Sequence, residues 1–86
     1  MDGRNRIAWN LRRLRSLRGV TQEDLAVDAQ VNRTSISGIE NQTVSASIDL
    51  LERLADALAI DLVELVQKPE VGEESPQNLK PGRKPK

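Results

Sequence analysis

Two short helical segments of this chain are joined by only three residues. The first segment, Gln22–Ala29, begins after the capping residue Thr21, and the second, residues 33–41, begins after Asn32. Both capping residues are of types that accept hydrogen bonds from the first free N–H groups of a helix. Helices joined by a link as short as residues 30–32 must cross at a steep angle. The spacing therefore predicts a helix-turn-helix.

Apolar residues recur at helical spacing in the rest of the first 66 residues as well. A first predicted helix ends at Gly19, and its inner face is formed by Ile7, Leu11, Leu14 and Arg18. A fourth helix is capped by Ser45 or Ser47, and a fifth, residues 62–66, follows the capping pair Asp61 and Glu64. The inner face of the third helix includes Ile36 and Ile39, and that of the fourth is formed by Ile48, Leu51, Leu54, Ala55 and Leu58.

Composition supports one small all-α domain. Strands favour aromatic residues, whereas these 86 residues contain only Trp9 and are dominated by leucine and alanine. Without cysteine or histidine there is no disulfide scaffold, Cys/His zinc site, thiol nucleophile or histidine base. No glycine-rich phosphate loop is present, so we expect no enzymatic activity, cofactor or metal. Without a long apolar run or a signal peptide, the default expectation is a cytoplasmic protein that does not enter a membrane.

The composition changes sharply at Gln67. Residues 67–86 contain all four prolines and only two large apolar residues. Such a segment cannot bury enough apolar surface to offset the entropy of ordering it. We therefore predict a compact five-helix domain over residues 1–66 and a disordered tail over residues 67–86. The last seven residues, KPGRKPK, weakly resemble a minor-groove AT-hook, and a solubilising tail is the alternative.

The outward face of the third helix carries the strongest functional signal. It is small and hydrogen-bonding, with no acid before Glu40, and consists of Arg33, Thr34, Ser37 and Gly38. In a helix-turn-helix the first turn of this helix enters the major groove. There the planar fork of Arg33 suits guanine O6 and N7, and Thr34 can contact a base or a thymine methyl group. Gln22 begins the preceding helix, where it can bind a phosphate. An ordinary αα corner with a polar face remains an alternative on spacing alone.

The chain also resembles a known family. The segments TQEDLAVDAQVNRTSISGIE and SIDLLERLADALAIDLVEL are similar to the phage-repressor-like (Cro/repressor, XRE-type) helix-turn-helix family, over roughly residues 5–66. Within them, NRTSISGIE looks most similar to restriction–modification controller proteins and other small bacterial autoregulators. The resemblance implies a lambda-repressor-like domain that regulates transcription by binding a (pseudo)palindromic DNA operator as a dimer, with the third helix in the major groove.

The family pattern also implies roles for single residues. Bases are read from the third helix, Gln22 and Asn32 contact phosphates, and the loop after that helix contacts the backbone through amides and hydroxyls. An ion pair between Arg15 and Glu40 braces the third helix. Controller proteins carry an aromatic residue where this chain has Ser35. The full set of predicted DNA-binding residues is Gln22, Asn32, Arg33, Thr34, Ser35, Ser37, Gly38, Asn41 and Thr43.

Three turns depart from the family pattern. Glycine is favoured between helices 2 and 3, after helix 3 and after helix 4, where this chain has Gln30, Gln42 and Ala59. If the backbone is left-handed at these positions, each non-glycine residue carries strain of roughly 1 kcal/mol.

Two surfaces are candidates for protein contacts. The last two helices present more apolar residues than one core face needs, which predicts a homodimer through Leu50, Ile60, Leu62, Val63 and Val66. On the first helix, Trp9 lies away from Ile7 and Leu14, near Arg6 and Arg13. This arginine-rich face is either solvated or a contact surface for phosphate or a partner, and Trp9 is a candidate partner contact.

Two other functions remain open from the sequence. One is an antitoxin of a toxin–antitoxin pair, in which residues 67–86 fold on the toxin. The other is a protein-interaction module, such as an anti-activator, which the formal net charge of zero favours. That zero hides an uneven distribution, because residues 1–20 carry six arginines and one acid, whereas residues 40–66 carry six acids and one arginine. A basic N-terminal helix and an acidic C-terminal half are compatible with one DNA-facing side.

Overall fold

The computed structural model describes residues 2–69, and over this range the chain folds into five α-helices with no β-strand. They are α1 (Gly3–Leu17), α2 (Gln22–Ala29), α3 (Arg33–Glu40), α4 (Ile48–Leu58) and α5 (Val63–Val66). The predicted all-α, five-helix architecture is confirmed. The predictions for residues 70–86, including the AT-hook-like end, lie outside the described residues.

Capping side chains explain where three of the helices begin. Asp2, Thr21 and Ser47 each accept a hydrogen bond from the backbone N–H three residues later, at 2.8–3.1 Å. Ser47 is therefore the cap of α4, and the other candidate, Ser45, lies in the preceding loop. Asn32 is the N-cap residue of α3, but its side chain forms no capping hydrogen bond. The side-chain amide of Asn32 is therefore not used to cap the helix.

Three helix boundaries differ from the sequence prediction by one or two residues, and one of these differences is that α3 ends at Glu40 and not at residue 41. α1 ends at Leu17, and Arg18 caps it from an exposed position, so the prediction that Arg18 lies on the inner face is wrong. The charged end of Arg18 is better solvated outside the core. α5 begins at Val63, where the Asp61 carboxylate accepts a hydrogen bond from the Val63 N–H at 2.9 Å and ends the preceding turn.

The core is formed by the inner faces of all five helices. α1 packs against α3 and α5, and α2 packs against α3 and α4. Ile48 was predicted to belong to this core, but 59% of it is exposed. It is the first residue of α4, one turn before the part of the helix that the core covers. The fully buried leucine and isoleucine side chains are Leu11, Leu25, Ile36, Leu51, Leu54, Leu58 and Leu65.

Three turns have left-handed backbone without glycine. The φ angles are 61° at Gln30, 64° at Gln42 and 59° at Ala59, nearly the same as the 66° of Gly19. A side chain with a Cβ atom in this conformation costs roughly 1–2 kcal/mol. The sequence predicts strain at these positions if their backbone is left-handed. This condition is met, so the strain is present at each of the three turns.

Glycine at these three positions is expected to stabilise the domain. Each of Gln30→Gly, Gln42→Gly and Ala59→Gly should raise the free energy of unfolding by roughly 0.5–1 kcal/mol, since relief of strain exceeds the entropy that glycine adds to the unfolded chain. Urea unfolding followed by circular dichroism measures the change. Gly19→Ala is the matched control and should lose about 1 kcal/mol from backbone strain alone, because φ is 66° there and nothing lies within 4 Å of the added Cβ. Destabilisation by all three glycine variants would contradict the assigned strain.

Candidate nucleic-acid interface

The first turn of α3 projects from the surface of the domain. Asn32, Arg33 and Thr34 are exposed, and Ser35 and Ser37 are half-buried. Ile36 and Ile39 on the opposite side are buried and hold the helix against the core, as their spacing predicted. The exposed residues therefore form a rigidly mounted, hydrogen-bonding face.

Gly38 does not belong to that exposed face. It is buried, and the loop after α3 folds back over it, so that the N–H groups of Thr43 and Val44 donate to the Gly38 carbonyl at 2.8 and 3.3 Å. A Cβ atom at position 38 would lie 2.5 Å from Cγ2 of Val44. The sequence placed Gly38 on the outer face of the helix, and that placement is wrong, because glycine is needed here for close approach of the loop.

This close approach makes the effect of an alanine at position 38 depend on the side chain at position 44. Gly38→Ala should lower the free energy of unfolding by about 1–2 kcal/mol, because overpacking outweighs the gain in helix propensity. In a Val44→Ala background only the Cβ of residue 44, 3.1 Å away, remains in close contact, and the same change should be nearly neutral. Urea unfolding of the four proteins in this double-mutant cycle gives both values. An identical effect of Gly38→Ala in both backgrounds would contradict the contact.

Arg33 has one weak restraint within the protein. Its Nε atom lies 3.9 Å from Oε2 of Glu23 on α2, and both side chains are more than half exposed. Exposed ion pairs of this kind contribute about 0–1 kcal/mol. The terminal nitrogens of the Arg33 guanidinium are therefore available to another ligand at little energetic cost.

A buried carboxylate braces the other end of α3. Glu40 is only 3% exposed, and its two oxygens accept hydrogen bonds from Nε and Nη2 of Arg15 at 2.8 and 3.0 Å. Arg15 also donates from Nη1 to the Val20 carbonyl at 2.9 Å, and Nε of Arg12 lies 3.5 Å from Glu40 Oε1. This two-pronged geometry is the strong form of an arginine–carboxylate contact. It fixes α3 to α1 and to the turn before α2.

Gln22 belongs to the same cluster. Its Nε2 atom donates to Oε1 of Glu40 at 3.1 Å, while the residue remains half-buried. One of the two amide hydrogens is thereby used, and the second hydrogen and the carbonyl oxygen remain to bind another group. Gln22 is thus positioned relative to α3 by a side chain of α3 itself.

The loop after α3 continues the hydrogen-bonded surface. Asn41 is exposed and donates from Nδ2 to the Ser37 hydroxyl at 3.3 Å, and its Oδ1 atom accepts from Nη2 of Arg12 at 3.4 Å. Thr43, also exposed, donates its hydroxyl to the Gly38 carbonyl at 3.3 Å. Both loop residues predicted to bind DNA are held against α3.

Two structural contacts that hold α5 were not found from the sequence. Asn10 on α1 is buried and donates from Nδ2 to the carbonyls of Leu65 and Gln67 at 2.9 and 2.8 Å. Arg6 donates to the Val66 carbonyl at 3.3 Å. These bonds satisfy carbonyl groups at the end of α5, which a four-residue helix leaves without partners. The only sequence signal was a polar residue, Asn10, next to the buried Leu11.

The predicted dimer surface is only partly exposed. Val63 is 53% exposed, whereas Leu50, Ile60, Leu62 and Val66 are half-buried and pack against the core. Trp9 is half-buried on α1. The exposed Ile48 adds an apolar residue to α4 that the sequence had assigned to the interior.

The described residues contain no group of acidic side chains that fits a metal ion. Within the same range, no helix is both long and apolar enough to cross a bilayer. The side chains of the site carry amide, hydroxyl and guanidinium groups, and such groups recognise base edges and phosphates.

Two short packed helices joined by three residues, with the first turn of the second helix exposed, define a helix-turn-helix domain. The model of the helix-turn-helix domain family matches residues 6–67, and the chain belongs to this family. The resemblance to controller-type proteins is also confirmed by two solved structures. The controller protein C.AhdI from Aeromonas hydrophila has a TM-score of 0.70 and 32% identity, covering 72% of this chain and 94% of its own. C.Esp1396I bound to a 25 base pair operator site has a TM-score of 0.68 and 28% identity, covering 79% and 99%.

A further relative is a hypothetical transcription factor of Neisseria meningitidis serogroup B. It is 30% identical over 69 residues, which are 80% of this chain. The chain spans 65% of the length of that relative. The crystal structure of the hypothetical transcription factor NHTF from Neisseria has a TM-score of 0.77 and 31% identity, and the match covers 79% of this chain and 78% of that one.

Proposed function

We propose that this chain is a sequence-specific DNA-binding regulator of transcription that inserts α3 into the major groove of an operator. The observation that carries the proposal is the exposed first turn of α3, which has no acid and no capping bond from Asn32, on a helix braced by a buried ion pair. A braced helix holds its side chains in place before DNA arrives, which reduces the entropy lost on binding. The similar structure of C.Esp1396I bound to a 25 base pair operator site supports binding to an operator.

Arg33 and Thr34 are proposed to read bases. The Arg33 fork matches guanine O6 and N7, and leaving the weak contact with Glu23 costs little. Ser35 and Ser37 lie on or beside the same face and are proposed as shorter-range hydrogen-bonding contacts. Gly38 is left out of the proposed set because Val44 covers it.

Backbone phosphates are proposed to bind at the edges of this face. Gln22 offers its second amide hydrogen, held in position by Glu40, and Asn32 offers an amide unused at the start of α3. Asn41 and Thr43 extend the contacts along the loop. Contacts of this kind fix the register of the protein on the duplex and carry no sequence information themselves.

A homodimer is proposed to present two copies of α3 to one operator. The apolar residues left exposed on α4 and α5, Ile48 and Val63, support an interface on the side of the C-terminal helices. A two-fold dimer sets the two reading helices about 34 Å apart, one turn of DNA. We place this regulator in the cytoplasm, on the nucleoid when it is bound to DNA.

The proposed function is tested by titrating labelled duplexes and following fluorescence anisotropy. The probes are the DNA upstream of the protein's own gene and a scrambled duplex of equal length, each at several salt concentrations. Tight, salt-sensitive binding to the upstream duplex with weaker binding to the scrambled one is expected. Equal and weak binding to both would contradict sequence-specific recognition.

The same titration separates the proposal from an interaction module. An anti-activator would bind neither duplex, whereas a DNA-binding antitoxin would bind its upstream DNA and also co-purify with the product of an adjacent gene. The antitoxin hypothesis depends on residues 67–86, of which residues 70–86 lie outside the described structure.

A further inference from the structure

The loop that follows α3 lacks basic residues of its own but receives one from α1. Residues 41–45 contain no lysine or arginine. Arg4 lies across this loop, and its Nε and Nη2 atoms both donate to the Ser45 hydroxyl oxygen, at 3.0 and 2.8 Å. A small cleft beside it is lined by Arg4, Val44 and Ala46, among others. The first turn of α1 thus places a guanidinium group beside the loop that follows α3.

The charge of Arg4 is not neutralised within the described part of the chain. Arg12 and Arg15 lie against the Glu40 carboxylate and Arg33 lies near Glu23, whereas Arg4 forms no ion pair among residues 2–69. A guanidinium group has five N–H donors, and the two bonds to Ser45 leave three of them on an exposed residue. Arg4 is therefore oriented by a neutral hydroxyl and still carries a full positive charge.

Ser45 is left with a donor of its own. Its oxygen accepts both bonds from Arg4, so the hydroxyl hydrogen is free to point elsewhere. The pair thus offers guanidinium N–H groups and one O–H group side by side. This is a donor arrangement suited to the oxygens of a phosphodiester, with the bidentate geometry that arginine provides.

Arg4 and Ser45 are also joined structurally to the α3 face. The exposed side of α3 continues through Ser37 to Asn41, which bonds to Ser37 at 3.3 Å, and then into the loop. A second contact between the loop and α1 joins Gln42 Nε2 to Asn5 Oδ1 at 3.5 Å. When the first turn of α3 lies in the major groove, this loop, at the C-terminal end of the helix, lies next to the sugar–phosphate backbone.

We propose that Arg4 and Ser45 form a binding site for one backbone phosphate of the DNA duplex. The site rests on the proposed function, because it requires α3 to be placed in the groove. It supplies, from α1, the positive charge that the loop lacks. It is sequence-independent, because its ligand is the phosphodiester and not a base edge.

The test is the salt dependence of DNA binding by the full chain. Arg4→Ala should reduce the magnitude of the slope of log K against log salt by about 0.9, the value for one phosphate contact, and weaken binding roughly tenfold. The loss should be the same for the upstream duplex and a scrambled duplex. Arg4→Lys should keep the slope, because the charge remains. Ser45→Ala should weaken binding but leave the slope unchanged, because it removes no charge.

Arg53→Ala is the matched control. Arg53 is an exposed arginine on α4 that donates a hydrogen bond of 3.4 Å to the Gln30 carbonyl, so its removal should leave slope and affinity unchanged. The site would be overturned if Arg4→Ala kept the wild-type affinity and slope, or if Arg4→Ala and Arg53→Ala lost affinity equally. Either result would leave the proposed function intact. Failure of the wild-type chain to bind either duplex would overturn both. Thermal unfolding of each variant shows that the fold is retained.

Discussion

Replacement of Glu40 by alanine is expected to lower the free energy of unfolding by about 3–5 kcal/mol. The carboxylate is 3% exposed and accepts from Arg15 and Gln22, so its removal leaves a largely buried guanidinium without its charge partner. The total stability of a domain is about 5–15 kcal/mol, and small domains lie at the low end. A substantial fraction of Glu40→Ala molecules should therefore be unfolded in water.

Urea unfolding of three variants tests this expectation. Glu40→Gln keeps the shape and part of the hydrogen bonding and should lose less than Glu40→Ala. Glu52→Ala removes an exposed acid of α4 and should stay within about 0.5 kcal/mol of the parent. A change below 1 kcal/mol for Glu40→Ala would show that the network does not brace α3.

Asn10→Ala is expected to destabilise the domain by about 2–4 kcal/mol. The change removes two hydrogen bonds, to the Leu65 and Gln67 carbonyls, and leaves those acceptors beside a small cavity. α5 contributes only four helical residues, so its position depends heavily on this side chain and on the buried Leu65. The effect should therefore be concentrated in the C-terminal segment.

Hydrogen exchange combined with urea unfolding distinguishes local from global loss. In Asn10→Ala the backbone amides of α5 should lose protection against hydrogen exchange. The protection of amides in α2 and α3 should fall only as far as the loss of global stability requires. Asn5→Ala, the same substitution five residues earlier on α1 at a more exposed position, is the control and should have a small effect. Unchanged protection of α5 would mean that Asn10 does not fasten this segment.

Local signals were sufficient to predict most of the fold. The caps Thr21 and Ser47 bond to N–H groups three residues away, and the spacing of Ile36 and Ile39 matches the turn of a helix. Capping and apolar spacing can therefore both be found within a short stretch of sequence. The family pattern of glycines raised left-handed backbone at Gln30, Gln42 and Ala59 only as a condition, and the backbone adopts that conformation despite the side chains.

Long-range contacts could not be predicted in this way. Asn10 meets Leu65 across 55 residues of sequence, and no periodicity reports such a pairing. Gly38 was placed on the outer face because its helical position points outward, whereas the loop folds back over it at Val44. The contact between Arg4 and Ser45 spans 41 residues and was equally invisible. Each of these depends on how helices are arranged in space.

The claim that α3 reads DNA bases is tested most directly by Arg33→Ala on a set of operator variants. Anisotropy titrations would compare the parent and Arg33→Ala on the upstream duplex and on duplexes with single base pairs replaced across the bound site. The account predicts that Arg33→Ala loses about 1–3 kcal/mol of binding and that one guanine position becomes unimportant to the variant. Uniform weakening, with discrimination at every position retained, would contradict base reading by Arg33 and, with it, the proposed placement of α3.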